Sequence, residues 1–202
     1  MIAIIDYGVG NLKNVYTALK KLDLDAFITS DINKINNSHA IILPGVGAFK
    51  DAMDNLIDYN LVDCIKDNVK TGKPLLGICL GMQLLFDTSY EDGIWNGLGL
   101  IEGEIVRFSN NLKVPHMGWN SLHKNKDHKL IKDINEGEYV YFVHSYYLKA
   151  RNFNNVLLYT DYDVKVPAVV AKDNVFGMQF HPEKSSDTGI KLLQNFKEMI
   201  KC

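Results

Sequence analysis

Residues 75–79 are apolar and strand-like, and residues 80–87 take up helical spacing with no loop residue between them. A chain that turns from strand to helix in one step needs small residues at the corner, and Gly77 and Gly81 flank Cys79 there. Such a step is one unit of an alternating α/β arrangement, and the N-terminal half repeats it. Residues 1–7 begin as a short apolar, β-branched run. Leu12, Val15, Tyr16 and Leu19 then share one helical face within 11–21, with Leu22 following. Residues 26–30 and 39–43 read as strands, and 49–69 as one helix stopped by Gly72 and Pro74. The alternation predicts a mostly parallel central sheet with helices on both faces.

After Gly93 the pattern changes. Residues 101–108, 114–122, 139–147, 156–159, 168–171 and 175–180 are strand-like, separated by turn residues and by no long helix, so antiparallel pairing is expected. Asp173 and Asn174 form a two-residue connection of hairpin type. The last segment is helical, with Ser186 or Asp187 as its cap and Ile190, Leu193, Phe196, Met199 and Ile200 on its apolar face. With no repeat and no linker, residues 1–202 are expected to form a single domain in which the antiparallel strands extend or flank the same sheet.

Charge and composition narrow the partners. Nearly half the residues are apolar and the formal charge is −2, which provides no footprint for nucleic acid and no basic arm for lipid. The longest apolar stretch, 74–86, is shorter than the roughly 20 residues of a membrane span. The chain enters a strand at once without a basic leader, and its three cysteines, Cys64, Cys79 and Cys202, have no metal-ligand spacing. A reducing cytoplasmic setting is expected, with small molecules or another protein as partners.

The glycine-flanked Cys79 has the form of a nucleophile elbow with sulfur in place of oxygen. The turn points the sulfur away from the strand, and the following helix N-terminus favours the thiolate. A lone cysteine is more often a buried structural residue. His181-Pro182-Glu183, ending the strand 175–180, changes that balance. Alternate residues of an extended segment project together, so Glu183 can orient His181 through one ring nitrogen while the other serves the thiol or a leaving amine.

A third element, Pro44-Gly45-Val46-Gly47, ends a buried strand, where backbone amides can face a ligand. No lysine or hydroxyl residue follows as a phosphate loop requires, so an oxyanion-binding backbone is the expectation. Gly8 and Gly10 lack the third glycine of a dinucleotide site, Lys13 standing there instead. His39, His116, His123, His128 and His144 have no carboxylates or cysteines at ligand spacing, and Cys64 falls inside a helix. Neither a metal nor a cofactor is expected, and these side chains are taken as structural or surface groups.

With these elements placed, the chain resembles the class I, triad-type glutamine amidotransferases, which implies a flavodoxin-like fold. Residues 6–11 (DYGVGN), 115–120 (PHMGWN), 142–146 (FVHSY) and 177–185 (GMQFHPEKS) resemble in particular the glutaminase subunits of imidazole glycerol phosphate synthases. The resemblance spans essentially the whole chain. It implies that Cys79 attacks the glutamine side-chain amide, that a glutamyl thioester forms and ammonia leaves, and that His181 moves the protons. It also implies an oxyanion hole at Val46, Gly47 and Leu80, with a peptide reorientation at Val46 and Gly47, and a substrate hold by Gln83, Glu91 and Ser145. The implied partner is a separate barrel-shaped cyclase that uses the ammonia to make imidazole glycerol phosphate and a purine precursor in histidine biosynthesis. Asn11, Asn14, Trp119, Tyr141 and Lys184 match positions near that subunit contact, although Tyr141 also fits an ordinary core or surface residue.

Rival expectations stay open at this stage. The same chemistry serves other synthases, including a paralogue that amidates surface sugars, and anthranilate and vitamin B6 glutaminases, against which the contexts of Trp119 and His144 argue. A non-catalytic subunit of the same fold conflicts with the intact triad. A cysteine hydrolase of other amides is not separated by the triad alone.

Overall fold

The computed structural model describes residues 1–109 and 113–200; Cys202 lies outside the described residues. The first half alternates as expected: β1 (Ile2–Ile5), α1 (Leu12–Lys21), β2 (Ala26–Thr29), α2 (Ile32–Asn36), β3 (Ala40–Gly45), α3 (Phe49–Asp58), α4 (Leu61–Lys70), β4 (Leu75–Cys79) and α5 (Leu80–Gln83). The strands that follow are β5 (Thr88–Ser89), β6 (Trp95–Asn96), β7 (Gly103–Arg107), β8 (His116–Ser121), β9 (His123–Lys124), β10 (Tyr139–His144), β11 (Tyr146–Ala150), β12 (Val156–Tyr162), β13 (Val164–Lys172) and β14 (Val175–Met178), before the closing helix α6 (Ser186–Met199).

Eight strands form the main sheet in the order β2-β1-β3-β4-β14-β13-β12-β9. Pairing is parallel from β2 through β14 and antiparallel beyond it. Alternation along each parallel strand sends residues to two faces. Ile2, Ile4, Ile42, Leu76 and Ile78 pack under α1 and α6, whereas Ala3, Ile5, Ile41, Leu43 and Leu75 pack under α3 and α4. Both faces are therefore buried, which is why these strands read as continuous apolar runs. Two smaller sheets, β10-β8 and β11-β7-β5-β6, supplement the main one.

Several boundaries differ from the sequence expectation. The segment 49–69 is two helices, because Tyr59 ends the first and Asn60 turns left-handed at φ 56° before the second. Asparagine tolerates that conformation better than most residues. Residues 139–147 likewise divide at Ser145 into β10 and β11, which enter different sheets. The helix after Cys79 is a single turn. Asp173, at φ 52°, makes the β13–β14 hairpin as expected. α6 has Ser185 at its N-cap position in place of Ser186 or Asp187, and that side chain does not cap the helix. Ser185 Oγ instead donates to the His181 carbonyl at 2.7 Å and accepts from the Tyr141 amide at 3.1 Å.

Candidate active site

Cys79 sits where β4 becomes α5, at φ 56° and ψ −115°. A non-glycine residue held there stores about 1–3 kcal/mol of backbone strain, so the surroundings must enforce it. They do so by close approach. A Cβ on Gly81 would stand 1.8 Å from the Leu43 carbonyl oxygen, and one on Gly77 would stand 2.5 Å from that of Gly81. The glycines let α5 drop onto β3, and Cys79 caps the single turn. α5 spans only four residues and so lacks the macrodipole of a long helix.

β4 lies between β3 and β14, which brings the three expected elements to one end of the sheet. Gly45 pairs with Cys79 across the β3–β4 ladder, so the Val46-Gly47 turn emerges beside the cysteine. Met178 pairs with Ile78, and His181 follows three residues later. All of this lies beyond the carboxyl ends of parallel strands, where α/β sheets bind ligands.

His181 is buried, and its Nδ1 lies 2.9 Å from Glu183 Oε1, whose side chain is only 1% exposed. With Nδ1 committed to the carboxylate, Nε2 is left for Cys79. Burial pulls the His181 pKa down, but hydrogen bonds and charges from Cys79 and Glu183 outweigh it and raise the value to about 9. At neutral pH the ring therefore favours the doubly protonated state. The surrounding structure thus brings a thiol, an imidazole and a carboxylate together, the set of groups that nucleophilic catalysis by cysteine requires.

Cys79 and His181 open into a cavity of about 470 Å³. Val46, Gly47, Leu80, Gln83, Glu91 and Ser145, the six residues expected to contact substrate, all line it. Glu91 also accepts the Phe49 amide at 2.7 Å at the start of α3, and burial raises its pKa against the lowering effect of that bond. The sequence did not indicate this helix-end contact, because the two residues stand far apart in the chain. Tyr7 was missed as well: its buried hydroxyl donates to the Pro44 carbonyl at 2.7 Å, fixing the base of the Val46-Gly47 turn. Burial, and then the charge of Cys79, push its phenol pKa upward.

The residues expected at a subunit contact divide into two places. Asn11 and Asn14 lie at the start of α1, half-buried and exposed respectively. Trp119 pairs with Tyr141 across β8–β10, with ring centroids 6.0 Å apart, and Lys184 is exposed at the cavity wall. Met117 and Tyr139, not singled out from sequence, are exposed on the same ribbon face as Trp119. Val143, opposite Met117, carries that apolar face to the cavity rim.

Among the described residues, no group of three or more His, Cys, Asp or Glu side chains is placed to hold a metal ion. Residues 3–199 match the family described as glutamine amidotransferase class-I. The chain belongs to that family. Two of its curated relatives are named "Imidazole glycerol phosphate synthase subunit HisH". That of Caldanaerobacter subterraneus subsp. tengcongensis is 54% identical with full coverage of both chains. That of Bacillus subtilis is 50% identical over 98% of this chain and 96% of its own. A solved structure described as a glutamine amidotransferase superposes with a TM-score of 0.79 over 99% of each chain. At 19% identity, that superposition shows a shared amidotransferase fold.

Proposed function

We propose that this chain is the glutaminase subunit of an imidazole glycerol phosphate synthase, folding as one domain and acting in the cytoplasm. The observation that carries the catalytic part is Cys79, held at positive φ, sharing a cavity with a His181 ring that Glu183 orients. The names of the relatives support the assembly and the pathway. No helix among the described residues is long and apolar enough to cross a membrane.

The Cys79 thiolate attacks the side-chain amide carbon of glutamine. Negative charge gathers on the former carbonyl oxygen, where the Leu80 amide and the Val46-Gly47 peptide serve as donors. His181 gives a proton to the amide nitrogen as the C–N bond breaks, and ammonia leaves behind a glutamyl thioester. Water then attacks the thioester, His181 takes its proton, and glutamate departs as the thiolate is restored. Gln83, Glu91 and Ser145 hold the amino-acid head.

The partner is a separate cyclase subunit that consumes the ammonia to form imidazole glycerol phosphate. Trp119 and Tyr141, with Lys184 at the rim, form the docking side, and Asn11 and Asn14 at the start of α1 extend it. An exposed aromatic face continuous with the cavity mouth suits a partner that receives a product from that mouth. The test is glutamate release by the chain, alone and with the cyclase and its nucleotide substrate. Wild type should be active in the complex and Cys79→Ala inactive, with Cys64→Ser close to wild type; equal rates for all three proteins would refute the assignment.

A further inference from the structure

His116 and His144 face each other as directly paired residues of β8 and β10, and both are buried. Neither takes part in the bond-making steps above. Their hydrogen bonds nevertheless run in one direction. His144 Nδ1 lies 2.8 Å from the Tyr146 carbonyl oxygen, which only accepts, so Nδ1 carries a proton. Burial pushes the His144 pKa down to about 3, which leaves Nε2 as an acceptor at neutral pH.

That acceptor meets His116 Nδ1 at 3.0 Å, and His116 therefore donates there. His116 Nε2 lies 3.1 Å from the side-chain amide of Asn120, at Oδ1. Burial lowers the His116 pKa too, and a neutral ring accepts at Nε2, which calls for the amide to turn its NH2 group inward. The His116 ring is held by stacking on Tyr162 and Phe142, at centroid distances of 4.0 and 4.8 Å.

The chain of bonds ends at the cavity wall. The Tyr146 carbonyl also accepts from Gln83 Nε2 at 3.0 Å, and the same nitrogen reaches Gln179 Oε1 at 3.1 Å. Ser145, at the break between β10 and β11, and Gln83 both line the cavity. One carbonyl, gripped by His144 on one side and Gln83 on the other, thus fixes two groups of the wall.

We infer that His144, its ring held at Nε2 by His116, is a positioning residue for substrate: it anchors the Tyr146 carbonyl and so sets Ser145 and Gln83 against the amino-acid head of glutamine. The inference rests on the glutaminase activity proposed above. It places binding, more than chemistry, under the control of the histidine pair.

The experiment compares steady-state glutamine hydrolysis by wild type, His144→Leu, His144→Asn and His116→Phe in complex with the cyclase. His144→Leu should raise KM about tenfold with kcat within about threefold. His144→Asn, which can return a donor near the position of Nδ1, should bring KM back to within about threefold of wild type. Alkylation of Cys79 by iodoacetamide, which needs no amino-acid head, should proceed at the wild-type rate in every folded variant. A fall in kcat at unchanged KM, or an asparagine variant no better than the leucine one, would overturn the inference. Should His144→Leu fail to fold, His116→Phe decides: a several-fold rise in KM supports it and an unchanged KM rejects it. Absence of glutamate release from wild type would instead condemn the glutaminase assignment itself.

Discussion

Two turns stand side by side at the mouth of the cavity and are built in opposite ways. Around Cys79, Gly77 and Gly81 are pressed against backbone, with no room for a single methyl group. Around Gly47, at φ 95°, a Cβ would meet nothing within 4 Å. The contrast points to different mechanical roles for neighbouring parts of one site: the proposed nucleophile is fixed by packing, whereas the peptide expected to stabilise the oxyanion adjoins open space at Gly47. Tyr7 limits that freedom to the tip of the turn, because it holds the Pro44 carbonyl.

The fixed side is the easier to break. His181→Asn should reduce glutamine hydrolysis by about a thousandfold or more, because no other group is placed to move the proton; glutamate release at saturating glutamine measures it. Gly81→Ala forces a methyl group into the Leu43 carbonyl and should destabilise the protein by about 3 kcal/mol or fail to fold, as read by denaturant unfolding. Glu183→Gln should be milder than His181→Asn, about ten- to a hundredfold, since an amide can hold the ring but stabilises its cation poorly. Near-wild-type rates in both triad variants would mean that the fixed turn carries no chemistry.

The coupled charges of the fixed side also predict a pH dependence of stability. The folded His181 pKa of about 9 lies above the unfolded value near 6.5. Its contribution is thus fully present below about pH 6.5 and is lost as pH rises through 9. Wild type should lose about 1–3 kcal/mol of stability relative to His181→Asn between pH 6 and pH 10, measured by urea unfolding.

The movable side should respond least in stability and most in regulation. Gly47→Ala adds no clash, so its cost is the positive φ alone, about 1–2 kcal/mol. If the isolated chain populates the donor-inward peptide at only roughly 0.1–10%, binding of the cyclase can raise turnover by one to three orders of magnitude. Gly47→Ala should shrink that activation ratio, read as glutamate release with and without the cyclase and its nucleotide. An unchanged ratio would remove the distinction between the two turns.

The parts that sequence made visible are those whose signal is local. Apolar runs buried on both faces marked β1, β3 and β4, and helical spacing marked α1 and α6. Cys79, His181 and Glu183 stood out because a glycine-flanked corner and a His-x-Glu triplet are each contained in a few residues. α2 was missed although Asp31 caps it through the Asn33 and Lys34 amides, because five residues carry too little periodicity. The break at Asn60 interrupts two amphipathic helices without a proline or glycine to announce it.

Contacts set by strand register were beyond reach. His123 pairs with Glu136, and His128 accepts from the Leu130 amide, in keeping with structural or surface roles. His144 is buried and hydrogen-bonded, as a structural histidine is, but its meeting with His116 depends on the β8–β10 pairing and its place on the cavity wall on the break at Ser145. Glu91 likewise gains its contact with α3 only in the folded chain.

The central claim is that Cys79 forms a covalent intermediate with glutamine. Mass spectrometry of the cyclase complex, acid-quenched during turnover and then digested, tests it most directly. The account predicts a glutamyl group on the peptide carrying Cys79, absent from Cys79→Ala. Glutamate accumulating with no acylated peptide at any quench time, or with the glutamyl group on Cys64, would contradict it.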